Sequence, residues 1–148
     1  MPLEKIDEEI LSVLAYEAKI PMRKLAQKLG VSIVTVMNHI KKMENDGIIE
    51  GYYAKVNYEK IGYDVNSLID IKISKGKLFE LEKKIAKDPH VYLVCDTTGE
   101  YDATVFARFK SSRQLDKFIK NVQTFDFVER TNTKLILNVI KDRQTEVI

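Results

Sequence analysis

Two stretches of helical apolar spacing, separated by only three residues, constrain the first third of this chain more than any other feature. Leu25, Ala26 and Leu29 make the inner face of a short helix whose start Pro21 pre-sets. Gly30 suits the left-handed cap that ends it, and Ser32 suits the N-cap of the next helix. That helix places Ile33, Val36, Ile40 and Met43 at spacings of three and four, and stops at Gly47 in Asn-Asp-Gly. Upstream, Ile6, Ile10, Leu11 and Leu14 mark a supporting helix with Asp7, Glu8 and Glu9 in its opening turn. Two helices joined by Gly30-Val31-Ser32 and backed by a third form the pattern of a helix-turn-helix, whose second helix enters the DNA major groove.

The charge distribution agrees with this, although the net charge of +2 hides it. Residues 1–50 hold 7 basic and 8 acidic groups, yet no Asp or Glu falls in residues 18–43, where Lys19, Arg23, Lys24, Lys28, Lys41 and Lys42 give a basic stripe. An ordinary solvated helix face has the same appearance, so spacing decides. Once Val36, Ile40 and Met43 enter the core, the remaining face carries Ser32, Val34, Thr35, Asn38, His39 and Lys42. Asn can make two bonds to adenine, and a small apolar group such as Val34 can touch a thymine methyl. Arg23, Lys24, Lys41 and Lys42 are the expected phosphate anchors, with Thr35, Asn38 and His39 at base edges. For Asn38 or His39 alone, a wet helix face explains the residue equally well.

From Gly47 the composition turns β-branched and aromatic, with alternation from Tyr53, which reads as a linker strand and hinge over residues 51–62. Residues 1–50 are then one domain and 63–148 another. In the second, Ile69, Ile71 and Ile73 mark a strand, and Leu78, Leu81 and Ile85 a helix that Pro89 ends. Val91, Leu93 and Cys95 follow as the inward residues of a strand, then Ala103, Val105, Ala107 and Phe109 of another. Ser111 with Gln114 opens a helix bearing Leu115, Phe118, Ile119 and Val122, and Leu135, Leu137 and Val139 are the expected inward residues of the last strand. The order βαββαβ predicts a ferredoxin-like α+β sandwich with both helices on one face of an antiparallel sheet. The other face alternates Leu68, Tyr92, Val94, Phe106, Ile136 and Ile140 with charged residues, an apolar patch that predicts face-to-face pairing in a homodimer. Such a dimer sets two recognition helices about 34 Å apart.

Several classes are excluded on the same grounds. No apolar run approaches the roughly 18–20 residues of a membrane helix, and the acidic start MPLEKIDEEI is unlike a signal peptide. The single cysteine, Cys95, has no partner for a disulfide or a thiolate metal site, so no metal and no cofactor is expected, and a reducing cytoplasm is. No catalytic residues are expected: His39 and His90 fall in separate domains, and there is no Gly-rich phosphate loop or His-x-x-x-His pair. The βαββαβ order also builds RNA-recognition modules, but Tyr92 and Phe106 stand here without the Arg/Lys-Gly-aromatic signature.

Taken in order, these motifs resemble the Lrp/AsnC (feast/famine) transcription regulators over almost the whole chain. The opening runs Leu3-Glu4-Lys5-Ile6-Asp7-Glu8-Glu9-Ile10-Leu11, the recognition helix Val31-Ser32-Ile33-Val34-Thr35-Val36 through Ile40-Lys41-Lys42-Met43-Glu44, and the linker Gly47-Ile48-Ile49-Glu50-Gly51-Tyr52. Thr98-Gly99-Glu100-Tyr101-Asp102 looks like the family's glycine-aromatic-aspartate turn, and 128–133 like the lead into its last strand. The resemblance implies a sequence-specific, nucleoid-associated DNA-binding dimer, often assembled into octamers, whose second domain binds a free amino acid that shifts assembly or DNA affinity. It assigns Thr98, Gly99, Glu100, Tyr101, Asp102 and, more weakly, Thr133 to that effector site. His39 stands where the family usually has arginine, which implies a weaker or pH-dependent DNA contact, and Ile33-Val34 replace a polar pair. Phe125 and Phe127 put two rings beside the effector site, which implies a different ligand or a closed pocket. The alternative is a small-molecule sensor and oligomerisation module with little or no sequence-specific DNA binding.

Overall fold

A computed structural model describes residues 3–74 and 76–142. Their contacts divide into two units, residues 3–55 with 141–142 and residues 56–140. The sequence division at 50 and 62 differs in leaving 141–142 with the second unit.

The first unit is three helices, α1 (Lys5–Leu14), α2 (Met22–Leu29) and α3 (Ile33–Asn45). Ile10, Leu14, Leu25, Ala26, Val36, Ile40 and Met43, from the stripes that the helical period marks, form its core together with Ile20 from the connection between α1 and α2. Gly30 ends α2 at φ 68°, a left-handed conformation that costs glycine nothing, and Ser32 Oγ accepts from the Thr35 N–H at 3.0 Å to start α3. Ile33 departs from expectation: on the first turn of α3 it projects beyond the core and is 41% exposed. The linker strand is also not formed. Residues 51–57 carry no helix or strand, because the alternating side chains there have no neighbouring ladder to join, and Tyr53 is exposed.

The second unit, after a single 3-10 turn (Glu59–Ile61), runs β1 (Val65–Ile73), α4 (Leu78–Lys84), β2 (Val91–Asp96), β3 (Ala103–Phe109), α5 (Ser112–Gln123) and β4 (Val128–Leu135). All pairings are antiparallel in the order β2-β3-β1-β4, the ferredoxin-like arrangement. Ile69, Ile71 and Ile73 of β1 and Ala103, Val105, Ala107 and Phe109 of β3 face Leu81 and Ile85 of α4 and Leu115, Phe118 and Val122 of α5 in one core.

Two strands differ from the simple alternation. Val91 lies opposite Ala107, but Leu93 lies opposite Phe106, so β2 holds one extra residue at Tyr92–Leu93. This bulge reverses the facing that follows: Leu93 and Cys95 share the outer face with Phe106 and Thr104, while Val94 turns to the core opposite Val105. At the other edge β4 ends at Leu135, which is exposed, and Leu137 is 86% exposed. Leu135, Leu137 and Val139 are therefore not core residues, because the ladder runs out there; the Ile136 N–H makes one more bond, to Asn66 O at 2.8 Å. Ile140, expected on the outer sheet face, lies past the strand and is exposed. Among the described residues no helix is long and apolar enough to cross a membrane.

Phe109 is fully buried between His90, stacked at 4.8 Å, and Phe118 at 5.4 Å. Its replacement by Ala should cost about 3–5 kcal/mol in urea unfolding. A loss below about 1 kcal/mol would mean that the site collapses around the missing ring.

Candidate functional site

α3 presents one uninterrupted exposed stripe, Val34, Met37, Asn38 and Lys41, at the three- and four-residue spacing of a helix face. Val34 and Met37 are 66% and 54% exposed, two apolar groups side by side on this stripe. Arg23 and Lys24 stand exposed on α2 with no ion pair among the described residues. Met37 is the member that the sequence pattern left unnamed, although it lies three residues from Val34 and four from Lys41.

The other α3 candidates are already engaged. Ser32 Oγ and Thr35 Oγ1 lie 2.8 Å apart within the helix cap. His39 turns towards α1, its Nδ1 2.7 Å from Asp7 Oδ1, and Lys42 Nζ donates to Glu4 Oε1 at 3.1 Å. The Asp7 carboxylate is 2% exposed, and its second oxygen accepts from the Glu4 N–H at 2.9 Å while the Glu4 side chain accepts from the Asp7 N–H, a reciprocal capping box. Burial works to raise the Asp7 carboxyl, but the Glu4 N–H and His39 outweigh it and hold it below the ordinary range. Bonding to Glu4 raises the Lys42 ammonium. Ligand atoms of Glu4, Asp7 and His39 lie within 4.8 Å of one another, a spacing that could hold a metal, but the Lys42 ammonium already supplies the cation there. At the end of α3, the Tyr52 O–H donates to Glu44 Oε1 at 2.9 Å; burial and this bond push Tyr52 up to about 12.

In the second unit, the turn between β2 and β3 gathers charge on the outer sheet face. Gly99 turns the chain at φ 114°, and Thr97 donates its N–H to Asp102 O at 3.0 Å and its hydroxyl to Tyr101 O at 3.2 Å. Asp102 Oδ2 accepts from the Ile73 N–H at 2.8 Å and Oδ1 from Lys72 Nζ at 3.2 Å, and these two, in that order, pull its carboxyl below the ordinary range. Glu100 pairs with Arg130, whose guanidinium lies 5.0 Å from the Tyr101 ring. The turn thus joins Glu100, Tyr101 and Asp102 to Lys72 and Arg130, two cations that sequence reasoning did not place there. Their signal was register, since Lys72 and Arg130 are opposite one another across β1 and β4. Thr98 and Gly99 are exposed at the tip. Thr133 does not join them: it stands opposite the buried Ile69, on the helix-side face. Phe125 and Phe127, stacked at 5.4 Å with Lys84 over their rings, pack into the core against the helices instead of lining the turn.

Family models match both units: a winged helix-turn-helix DNA-binding domain over residues 3–50, and the Lrp/AsnC ligand binding domain over 66–146. The chain belongs to the Lrp/AsnC family. Among curated relatives, an HTH-type transcriptional regulator of Pyrococcus furiosus is 42% identical over 142 residues, covering 96% of each chain. Of solved structures, E. coli AsnC is 28% identical with a TM-score of 0.92 over 99% of each chain. The feast or famine regulatory protein of M. tuberculosis, complexed with L-methionine, shares the fold at 22% identity and a TM-score of 0.92, over 99% of this chain and 100% of that one. This Lrp/AsnC protein is a DNA-binding transcriptional regulator with an effector-domain fold.

Among the described residues, its sheet carries one buried charge, Asp70. Asp70 accepts from Thr104 Oγ1 at 2.9 Å, Lys134 Nζ at 2.7 Å and Asn132 Nδ2 at 3.4 Å. Burial would raise the carboxyl, but Lys134 and Thr104 outweigh it and hold it low. A depressed folded-state value stabilises the protein above the unfolded aspartate value, near pH 3.9, and that stability is lost as pH falls through the lower folded value. Asp70→Asn should therefore cost about 1–3 kcal/mol at neutral pH. In urea unfolding at stepped pH the deficit should shrink below about pH 4; a constant deficit would assign it to packing.

Proposed function

We propose that this chain is a sequence-specific transcription regulator that binds double-stranded DNA through α3 and whose DNA affinity or assembly responds to an amino acid held at the β2–β3 turn. The observation that carries the DNA half is the exposed α3 stripe of Val34, Met37, Asn38 and Lys41, together with Arg23 and Lys24 exposed on α2. Val34 and Met37 supply apolar contact for thymine methyls, Asn38 supplies the paired donor and acceptor for adenine, and the cations take phosphates. Ser32, Thr35 and Lys42 contribute at the phosphate backbone where their existing bonds permit.

For the effector half, Lys72 and Arg130 offer cations for an α-carboxylate, while Glu100 and Asp102 accept from an α-ammonium group, next to the Tyr101 ring. Thr98 and Gly99 supply backbone at the tip. The L-methionine complex of the M. tuberculosis relative supports this class of ligand. Nothing in the reading needs a catalytic group, and the protein acts in the cytoplasm at the nucleoid. The outer sheet face, with Leu68, Tyr92, Leu93 and Phe106, supports a homodimer, and further assembly to an octamer.

Binding of a pool of DNA duplexes tests the assignment. Asn38→Ala should relax sequence choice with modest loss of affinity, whereas Lys41→Ala should weaken all sequences alike and lower the salt dependence by about one unit of slope. The reverse pattern would exchange the two roles. A thermal-shift screen against the amino acids should give one clear stabiliser, about 2.7 kcal/mol at 100 times its Kd, and Asp102→Ala should abolish that response. An unchanged response would move the effector site elsewhere.

A further inference from the structure

We propose that His39 contacts the DNA backbone directly through a proton that it takes up as DNA binds, and that Asp7 is the positioning residue holding the ring for this contact. The proposal rests on the DNA-binding reading above and adds a second ligand to it, the proton.

The geometry makes one ring nitrogen a donor. An ionised carboxylate only accepts, so across the 2.7 Å contact His39 Nδ1 must be the donor. The other Asp7 oxygen is committed to the Glu4 N–H, which keeps the carboxylate from rotating away. In a neutral imidazole whose Nδ1 carries the proton, Nε2 is a bare acceptor. That nitrogen has no protein partner among the described residues, and none of their buried side-chain nitrogens or oxygens lacks one, so Nε2 lies at the surface. The side chain is 19% exposed and follows Asn38 on α3, beside the exposed stripe.

A bare Nε2 has nothing to offer a phosphate, whereas a protonated one donates a charge-assisted bond. The charged groups around the ring decide between them. From α1, Asp7 touches the ring and Glu4 stands further off; on α3, Lys42 is paired with Glu4. No ion pair reaches the ring from α2 among the described residues. A phosphate arriving opposite Asp7 places the imidazole between two anions, an arrangement in which the doubly protonated ring is favoured. Because linkage is reciprocal, DNA then promotes protonation and protons promote DNA binding to the same extent.

The experiment is fluorescence anisotropy of the full chain with a duplex of about 30 base pairs, roughly three helical turns. It is run at constant ionic strength from about pH 8 to about pH 6, the span in which histidine ordinarily changes charge. Calorimetry in two buffers of different ionisation heat counts the protons. The wild-type protein should bind more tightly on acidification, by up to roughly tenfold per pH unit for each His39 that gains a proton. Calorimetry should show net proton uptake. His39→Arg should bind at high pH with a flat profile and no uptake, and His39→Gln should bind weakly with a flat profile. Because His90 is the only other histidine, the Gln variant also subtracts its contribution. Asp7→Asn, checked for folding by circular dichroism, should move the rise to lower pH; a merely structural role would lower affinity without moving it. A wild-type profile parallel to that of His39→Gln, with no proton uptake, overturns the proposal while leaving DNA binding intact. No duplex binding by the wild type or His39→Arg at any pH would overturn the DNA-binding reading and the proposal together.

Discussion

Asp7 closes the first turn of α1 with one carboxylate oxygen and holds His39 of α3 with the other, so the second helix of the helix-turn-helix is oriented by a group with no freedom to turn. Burial of a carboxylate is expensive unless its oxygens find donors, and here the Glu4 N–H and the imidazole supply one to each oxygen. The apolar contacts of Val36, Ile40 and Met43 hold α3 against its neighbours but leave rotation about its axis less strictly defined, since hydrophobic contact is non-directional. A hydrogen bond between elements 32 residues apart supplies the direction that packing lacks.

The second unit solves a different problem with the same economy. β1 and β3 are its two central strands, and their inward residues are almost all small or branched apolar groups that α4 and α5 cover. The outer face carries a paired cluster of two cations and two carboxylates around the β2–β3 turn, and apolar groups on either side of Asp70. Charges held in pairs cost little in the absence of ligand, and each pair can exchange a partner for a ligand group of the same sign. On the proposed function, that suits a zwitterion better than a simple anion or cation.

Much of this was written in the sequence wherever the signal is local. The helical period located all three helices of the first unit, Gly30 and Ser32 marked the turn between them, and the alternation of Ile69, Ile71 and Ile73 and of the β3 residues fixed the faces of the central strands. What the sequence hid is non-local. The pairing of His39 with Asp7 is invisible to any periodicity, since a histidine on a basic helix looks like part of its solvated face. Lys72 and Arg130 become neighbours of Asp102 and Glu100 only once strand register is known. Phe125 and Phe127, near the last strand in sequence, are claimed by the core because α5 returns the chain there. Ile33 shows the reverse error: the period is right, but at the end of a helix there is no neighbour left to cover it.

The extra residue at Tyr92–Leu93 gives β2 two phases. Before it the odd-numbered Val91 faces the helices; after it the even-numbered Val94 does. A related strand lacking the bulge could align with β2 residue for residue and still disagree about facing along half its length. Position-by-position comparison across this strand then pairs core residues of one protein with surface residues of the other. The error leaves no trace in the substitutions themselves, because Val, Leu and Cys are exchanged as readily on either side.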